Sequence, residues 1–285
     1  MRMSRVTVLL LLAAGLCGCN SSHPSSPLTP TPPAGSTPAP NPNLVGYVID
    51  TAYRAVGGAT VTVVDGPQAG MSMTTNAEGR FTYSYVVTSA VTFRASKEGY
   101  ITGEAATRTS APGGNPWVYI QLEAVALPVN IGGDYTLTLT ADNTCAGIPS
   151  ELRTRTYAVT IEPRSVPLVR PGTAFTLLAL GSPFLDGYRG FQIGVAGNYV
   201  AFSIYNGEDF GLVERIAPKT FLAFYGSAGG VVDGSTSTIS APLDGGIEYC
   251  VSGSEMATIY NCVPALPDSR AQCVSKNHHL VLTRR

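Results

Sequence analysis

Residues 44–124 contain segments that alternate between apolar and polar positions as β-strands do. Val45, Tyr47 and Ile49 alternate with their neighbours, and residues 59–64 form a run rich in β-branched side chains. Both patterns are typical of strands. Further strand segments are residues 74–75, 80–83, 91–96 and 117–122, and Gly-bearing turns separate them. The pattern predicts a β-sandwich over residues 44–124.

The second half of the chain continues the same periodicity. In residues 133–140, Thr alternates with Tyr and Leu, which predicts a strand with one solvent-exposed face and one buried face. Further strand candidates are residues 153–162, 174–180, 188–195, 199–205, 221–225, 247–251 and 280–284. With no convincing amphipathic helix between them, they predict an up-and-down barrel or a second sandwich over residues 131–285. The predicted fold class is therefore all-β.

The N-terminus has a different pattern. Arg2 and Arg5 precede an apolar run of about eleven residues, which has the length of a signal-peptide core and is too short to span a bilayer as a helix. The run ends in Leu-Cys-Gly-Cys, which resembles a bacterial lipobox. The resemblance implies a signal peptide over residues 1–18 and a lipidated, palmitate-bearing Cys19 at the mature N-terminus. Cys17 is a competing anchor with a weaker local pattern.

Residues 19–43 are predicted to be a disordered tether. Residues 20–43 contain eight prolines and no Asp, Glu, Lys or Arg, so they lack the apolar surface needed to fold. With the lipid, the tether places the protein on a membrane of the cell envelope. Asn20, rather than Asp, follows Cys19, and in enterobacteria-like sorting this implies the outer membrane.

Charge and cysteines narrow the class of protein. Only 13% of the residues are charged and the net charge is −1, so the chain lacks the electrostatic footprint of a nucleic-acid-binding protein. Without Cys17 and Cys19, four cysteines remain, and an even number in an oxidising compartment favours disulfides. Of the three possible pairings, we favour Cys145–Cys273, which joins the first and last strands of a barrel, with Cys250–Cys262 as a local loop.

Four motifs in the first domain resemble the carboxypeptidase regulatory-like domain. They are Gly-x-Val-x-Asp at 46–50, Val-Gly-Gly-Ala-x-Val at 56–61, Thr-Asn-Ala-Glu-Gly-Arg-Phe at 75–81 and Ala-Ser-Lys-Glu-Gly-Tyr at 95–100. The resemblance implies a transthyretin-like sandwich of about seven strands without zinc or catalytic residues. Asn76 replaces the usual Asp, and Ala55 stands where Pro is common; neither change disturbs the fold, since Asn also tolerates turn geometry.

The same family is grouped with carbohydrate-binding-like folds, which raises a sugar-binding hypothesis by analogy. Trp117, with Tyr47 and Tyr119, is the candidate stacking platform, and Tyr83 and Tyr85 are further candidates. The alternative is that Trp117 packs in or beside the core.

The second domain has a weaker resemblance. Gly133-Asp134-Tyr135 at its start and Arg284 at its end resemble the lipocalin and avidin-like superfamily, in which an Arg from the last strand packs on an aromatic residue from the first. The resemblance implies a cavity for a small apolar ligand.

Motifs for catalysis, metals or cofactors are absent from the sequence. It contains no His-Glu-x-x-His, no paired Cys-x-x-Cys, no Gly-x-Ser-x-Gly and no Walker loop. His278 and His279 are adjacent on a predicted strand and therefore point to opposite faces. We therefore expect a non-enzymatic lipoprotein without cofactors that binds a ligand or an adhesion target, such as a glycan. The alternatives are a scaffolding subunit with an envelope protein partner, or a small-molecule carrier that uses the second domain.

Overall fold

The computed structural model describes residues 44–85, 87, 89–109, 115–167, 169–181, 183–206, 209–233, 237–251 and 270–285. The predicted signal peptide, Cys19, the tether and Cys262 lie outside these ranges. Within the described ranges, no helix is long and apolar enough to cross a membrane.

The first domain is a sandwich of two sheets within the described residues. Its strands are β1 (Leu44–Asp50), β2 (Thr60–Val63), β3 (Ser72–Thr74), β4 (Arg80–Tyr83), β5 (Thr92–Ser96), β6 (Tyr100–Ile101), β7 (Gly103–Ala106), β8 (Arg108–Thr109) and β9 (Pro116–Ala124). One sheet has the order β4-β1-β9-β6, with β8 also on β9, and the other has the order β3-β2-β5-β7. Most pairs are antiparallel, but β1 and β9 run parallel. The predicted β-sandwich is confirmed.

The sandwich core explains which face of β1 is buried. Leu44, Gly46 and Val48 of β1 point inwards, and the Phe81 ring fills the space above Gly46. A Cβ on Gly46 would lie 2.2 Å from Phe81 Cζ, so only glycine fits there. Phe81 in turn packs on Phe93 of the facing sheet, with the ring centroids 5.6 Å apart.

Asp50 organises the turn that follows β1. Its fully buried carboxylate accepts hydrogen bonds from the backbone N–H groups of Ala52 (2.8 Å) and Arg54 (3.0 Å) and forms an ion pair with the Arg54 guanidinium. These bonds hold Tyr53 at a φ of +58°, which is uncommon for a non-glycine residue. The turn projects towards the second domain.

The second domain contains strands β10 to β20 and a short 3₁₀ helix at Ser150–Leu152. The strands are β10 (Gly133–Thr140), β11 (Thr154–Pro163), β12 (Ala174–Ala179), β13 (Phe184–Ala196), β14 (Tyr199–Ser203), β15 (Tyr205–Asn206), β16 (Asp209–Phe210), β17 (Leu212–Ala217), β18 (Thr220–Val231), β19 (Thr238–Val251) and β20 (Arg270–Arg284).

Among the described strands, eight antiparallel ones close a barrel in the order β10-β11-β12-β13-β14-β18-β19-β20. The β10–β20 ladder completes the circle, with Tyr135 opposite Arg284 and Leu139 opposite Leu280. β17 is an additional strand that pairs with both β13 and β18. Of the two predicted architectures, the structure has the up-and-down barrel.

The barrel interior is filled by apolar side chains, among them Leu137, Val159, Ile193, Phe202 and Leu282, each with 1% or less of its surface exposed. Eight-stranded barrels are narrow enough for side chains to fill.

A polar group also lies within this interior. Arg155 donates through both Nε and Nη2 to the buried Glu214 carboxylate, and the Tyr157 hydroxyl donates to Glu214 Oε2 at 2.8 Å. Burial and the charge of Glu214 raise the pKa of Tyr157, so the tyrosine stays a neutral donor.

The two domains contact each other directly. The Thr51 hydroxyl donates to the Val195 carbonyl at 2.6 Å, and the Arg54 guanidinium lies 4.2 Å from the Tyr199 ring centroid. A second contact joins Arg170 to Glu123, whose carboxylate accepts from the Arg170 backbone N–H at 2.8 Å. The sandwich and the barrel therefore contact each other through side chains at two places.

Candidate functional site

The outer face of the first sheet of the sandwich carries the aromatic residues singled out in the sequence. Because Gly46 and Val48 point inwards, Val45 and Tyr47 of β1 point outwards, and on β9 the outward positions are Trp117 and Tyr119. The parallel register places Tyr47 beside Tyr119 and Val45 beside Trp117. We call Val45, Tyr47, Arg80, Arg108, Asn115, Pro116, Trp117 and Tyr119, which line or border these rings, the binding face.

The three rings of the binding face form one continuous surface. Tyr47 and Tyr119 stack with their centroids 5.3 Å apart and their planes 16° apart. Trp117 contacts Tyr119 edge-on at 5.4 Å. Tyr119 has 51% of its surface exposed, whereas Tyr47 and Trp117 are half-buried. The rings therefore brace one another while presenting area to solvent.

Two arginines lie at the edges of this aromatic surface. Arg80 of β4 is directly opposite Tyr47, and Arg108 of β8 is directly opposite Trp117. The Arg108 guanidinium carbon lies 5.9 Å from the Trp117 ring centroid, within cation–π range. A shallow concavity of about 560 Å³ is lined by the residues of the binding face other than Arg108.

The structure brings together Tyr47, Trp117 and Tyr119, the three residues chosen from the sequence, but it excludes Tyr83. Tyr83 points into the core, 3% exposed, and contacts Phe93 edge-on at 5.3 Å. Burial and the neighbouring Tyr85 raise the pKa of Tyr83. Tyr85 is 41% exposed, but it contacts Tyr83 and does not line the concavity. In the antiparallel register, Tyr83 lies opposite Leu44, which points inwards, whereas Arg80 lies opposite Tyr47, which points outwards. The proposed platform therefore omits Tyr83.

Sequence reasoning missed the arginines. Arg80 sits inside the motif that carries the family resemblance, which drew attention to its turn rather than to its side chain. Arg108 lies on a two-residue strand without an alternating pattern. The register between strands is the signal that would have found both residues.

The cysteine prediction is confirmed for one pair. Cys145 and Cys273 form a disulfide with Cα atoms 5.5 Å apart, and it joins the segment after β10 to β20. Cys250 is also disulfide-bonded. Its predicted partner, Cys262, lies outside the described residues.

The two histidines point to opposite faces, as predicted. His279 is exposed, whereas His278 is fully buried beside the Cys145–Cys273 disulfide. His278 Nδ1 accepts a hydrogen bond from the Asp142 N–H at 2.9 Å, and its Nε2 has no hydrogen-bond partner. Burial lowers the pKa of His278, although the Cys273 and Gly245 carbonyls and the Asp142 charge oppose the shift. His278 and the two cysteines are close enough together for a metal, but the disulfide removes both thiolates as ligands.

The closing strands also show the packing that the lipocalin and avidin-like resemblance implied. Arg284 lies over the Tyr135 ring at 5.0 Å, and its Nη2 donates to the Tyr135 hydroxyl at 2.7 Å. This contact concerns two residues of the barrel seam. Membership of that superfamily stays a prediction.

Comparison with known proteins identifies the first domain. Residues 43–123 match the family model of the carboxypeptidase regulatory-like domain. The resemblance predicted from the four motifs is therefore confirmed, and the binding face lies on this regulatory-like domain.

Other comparisons give little more. No curated protein matches the chain. Among solved structures, the chain is similar to the major pilin subunit of Bacillus cereus, with 12% sequence identity over 85% of this chain and 84% of that chain. The TM-score is 0.23, a value at which the likeness supports no conclusion on fold or function.

Proposed function

We propose that the chain is a non-enzymatic, lipid-anchored protein of the cell envelope whose regulatory-like domain binds carbohydrate through the binding face. The observation that carries the proposal is the exposed, mutually packed arrangement of Tyr47, Trp117 and Tyr119. The C–H groups on one side of a sugar ring form an apolar surface that packs on such rings, while its hydroxyls need polar neighbours. Arg80 and Asn115 supply donors in the same concavity.

The solvent-facing positions of Tyr47, Trp117 and Tyr119 are not explained by the needs of folding alone. The regulatory-like domain has its own aromatic core in Phe81, Tyr83 and Phe93. Tyr47 and Tyr119 instead lie on the solvent side, on neighbouring strands where polar residues would normally be found. Clustered exposed apolar area of this kind marks interaction surfaces.

The barrel offers less support for the carrier alternative. Its interior is occupied by the large side chains of one hydrophobic cluster and by the Arg155–Glu214 pair. A ligand would have to displace packed groups and the buried ion pair.

A scaffolding role is the second candidate, and the fixed contact between the domains favours it. Thr51 and Arg54 on one side, and Glu123 with Arg170 on the other, join the domains at two places. Contacts at two places restrain the relative movement of the domains, and such a unit can hold a partner protein at a defined position.

The carbohydrate proposal is tested by a glycan array followed by calorimetric titration of the best ligand. We expect Tyr119→Ala and Trp117→Ala each to weaken binding about fivefold or more, because a central aromatic contact typically contributes more than about 1 kcal/mol. Tyr85→Ala is the matched control, since Tyr85 is also exposed in the same domain but lies outside the concavity. Circular dichroism of each variant reports on folding.

The same variants separate the two candidates. The carbohydrate proposal is wrong if no glycan binds the chain. The scaffold is favoured if, in addition, an envelope protein binds with a fixed stoichiometry and binds the Tyr119→Ala variant equally well. If Tyr85→Ala weakened glycan binding equally, the loss of affinity would not be specific to the binding face.

A further inference from the structure

We propose that the glycan recognised by the binding face is an acidic polysaccharide, whose carboxylates pair with Arg80 and Arg108. The inference rests on the proposed carbohydrate function and adds the charge of the ligand. Both arginines are exposed, and neither forms an ion pair with any residue that the structure describes.

On the opposite face of the same domain, an exposed arginine is neutralised by a carboxylate on the neighbouring strand. Arg94 of β5 points to solvent from the second sheet, and its Nε donates to Glu104 of the neighbouring strand at 2.7 Å. Arg94 and Glu104 are cross-strand partners, as Arg80 and Tyr47 are. On the binding face, the cross-strand neighbour of each arginine is an aromatic residue instead of a carboxylate.

The acidic group on the binding side of β9 is already engaged. Glu123 points to the same side as Trp117 and Tyr119, and its carboxylate is held by the backbone N–H and guanidinium of Arg170 from the barrel. Its charge is therefore compensated by the second domain. The described part of this face is left with an excess of positive charge around the rings.

The spacing of the arginines indicates a polymer. Arg80 on β4 and Arg108 on β8 are separated by β1 and β9, which is three strand spacings or about 14 Å. The rings of Tyr47, Tyr119 and Trp117 lie between them. A guanidinium binds a carboxylate with two parallel hydrogen bonds, so each arginine is suited to the acid group of a different sugar unit, while the rings pack on the sugars between them.

The test compares an acid with its neutral form. The full chain in detergent is titrated with polygalacturonate, alginate and hyaluronate, and with the methyl ester of each, which keeps the sugar rings but removes the charge. We expect each acid to bind about threefold to fivefold more tightly than its ester, or more tightly still. Arg80→Gln and Arg108→Gln should each remove a similar factor from acid binding, the size of an exposed ion pair, and reduce ester binding by a smaller factor, because glutamine keeps a hydrogen-bond donor but loses the charge. Added salt should weaken only acid binding.

Arg94→Gln is the control, because it removes the same charge from the opposite face. Equal binding of acids and esters, both lost in Tyr119→Ala, would overturn the acidic-ligand inference and leave carbohydrate binding intact. An equal effect of Arg94→Gln would also overturn it, since only net charge would then matter. If neither acids nor esters bind, both this inference and the proposed function fail.

Discussion

Asp142 shows how single polar residues secure the barrel seam. It follows β10, and its carboxylate accepts hydrogen bonds from the Ser275 hydroxyl and from the Thr144 N–H at 2.9 Å. Its own N–H donates to His278 Nδ1. One residue thus connects the end of β10 to the middle of β20. The hydrogen bonds from Ser275 and then from Thr144 lower the pKa of Asp142 from 3.8 to about 2.

This shift predicts a pH dependence of stability. A carboxyl group with a lowered folded-state pKa stabilises the fold above its unfolded-state pKa, and the contribution is lost as the pH falls through the folded value. We therefore expect the wild type to lose stability between about pH 4 and pH 2, and Asp142→Asn to lose less in this window. Urea unfolding at a series of pH values measures it. Parallel pH profiles for both proteins would contradict the assignment.

The limits of sequence reasoning are clearest at single residues. The alternation of Val45, Tyr47 and Ile49 predicted β1, but periodicity alone does not say which set faces the core. The outcome depends on Phe81, a residue of another strand that fills the space over Gly46. The sequence therefore predicted Tyr47, Trp117 and Tyr119 as platform residues, but it could not exclude Tyr83, which is buried.

At the level of strands, the predicted elements were mostly correct and their ends were not. β10 was predicted over its full length, whereas β19 and β20 extend well beyond the predicted 247–251 and 280–284. Their additional residues include glycines and polar residues that weaken the periodicity, among them Gly245 and Gly246, which give the Tyr225 backbone and ring room to approach. β17 was missed because Glu214, a charged residue, occupies an inward position there and is satisfied by Arg155 and Tyr157.

The Cys145–Cys273 disulfide gives a prediction at this scale. It links positions 128 residues apart and therefore restricts the unfolded chain strongly. We expect the double variant Cys145→Ser/Cys273→Ser to lower the free energy of unfolding by about 2–5 kcal/mol in urea titrations. Replacing both cysteines avoids a free thiol. A change below about 0.5 kcal/mol would show that the β10–β20 ladder closes the barrel without help from the disulfide.

At the scale of the whole molecule, the sequence predicted two β domains but not the contact between them. The sequence left a barrel and a sandwich open, because the β10–β20 ladder that closes the barrel pairs strands from the two ends of the domain. The contact between the domains depends on side chains far apart in sequence, such as Thr51 with Val195 and Glu123 with Arg170. Neither pair belongs to a local motif.

This contact predicts coupled unfolding of the two domains. A Cβ on Gly194 would lie 2.3 Å from the Thr51 carbonyl oxygen and 2.9 Å from the Tyr53 ring. Gly194→Ala should therefore cost about 1–3 kcal/mol and split a single calorimetric transition into two. Gly230→Ala is the control, because its nearest neighbour would be a Ser240 oxygen at 3.6 Å. Two transitions already in the unsubstituted chain would contradict the coupling, and a single transition in Gly194→Ala would show that the contact at Gly194 is not what couples the domains.

The parallel pairing of β1 with β9 has a mechanical consequence. The chain enters the sandwich at Leu44, the start of β1, and leaves it at Ala124, the end of β9, so these points lie at opposite ends of one ladder. Tension applied between them pulls the two strands past each other along their length. The hydrogen bonds from Val45 to Asp50 then share the load and must break together, whereas an antiparallel hairpin would open one bond at a time. The domain that carries the binding face is thus built to resist stretching between its two ends.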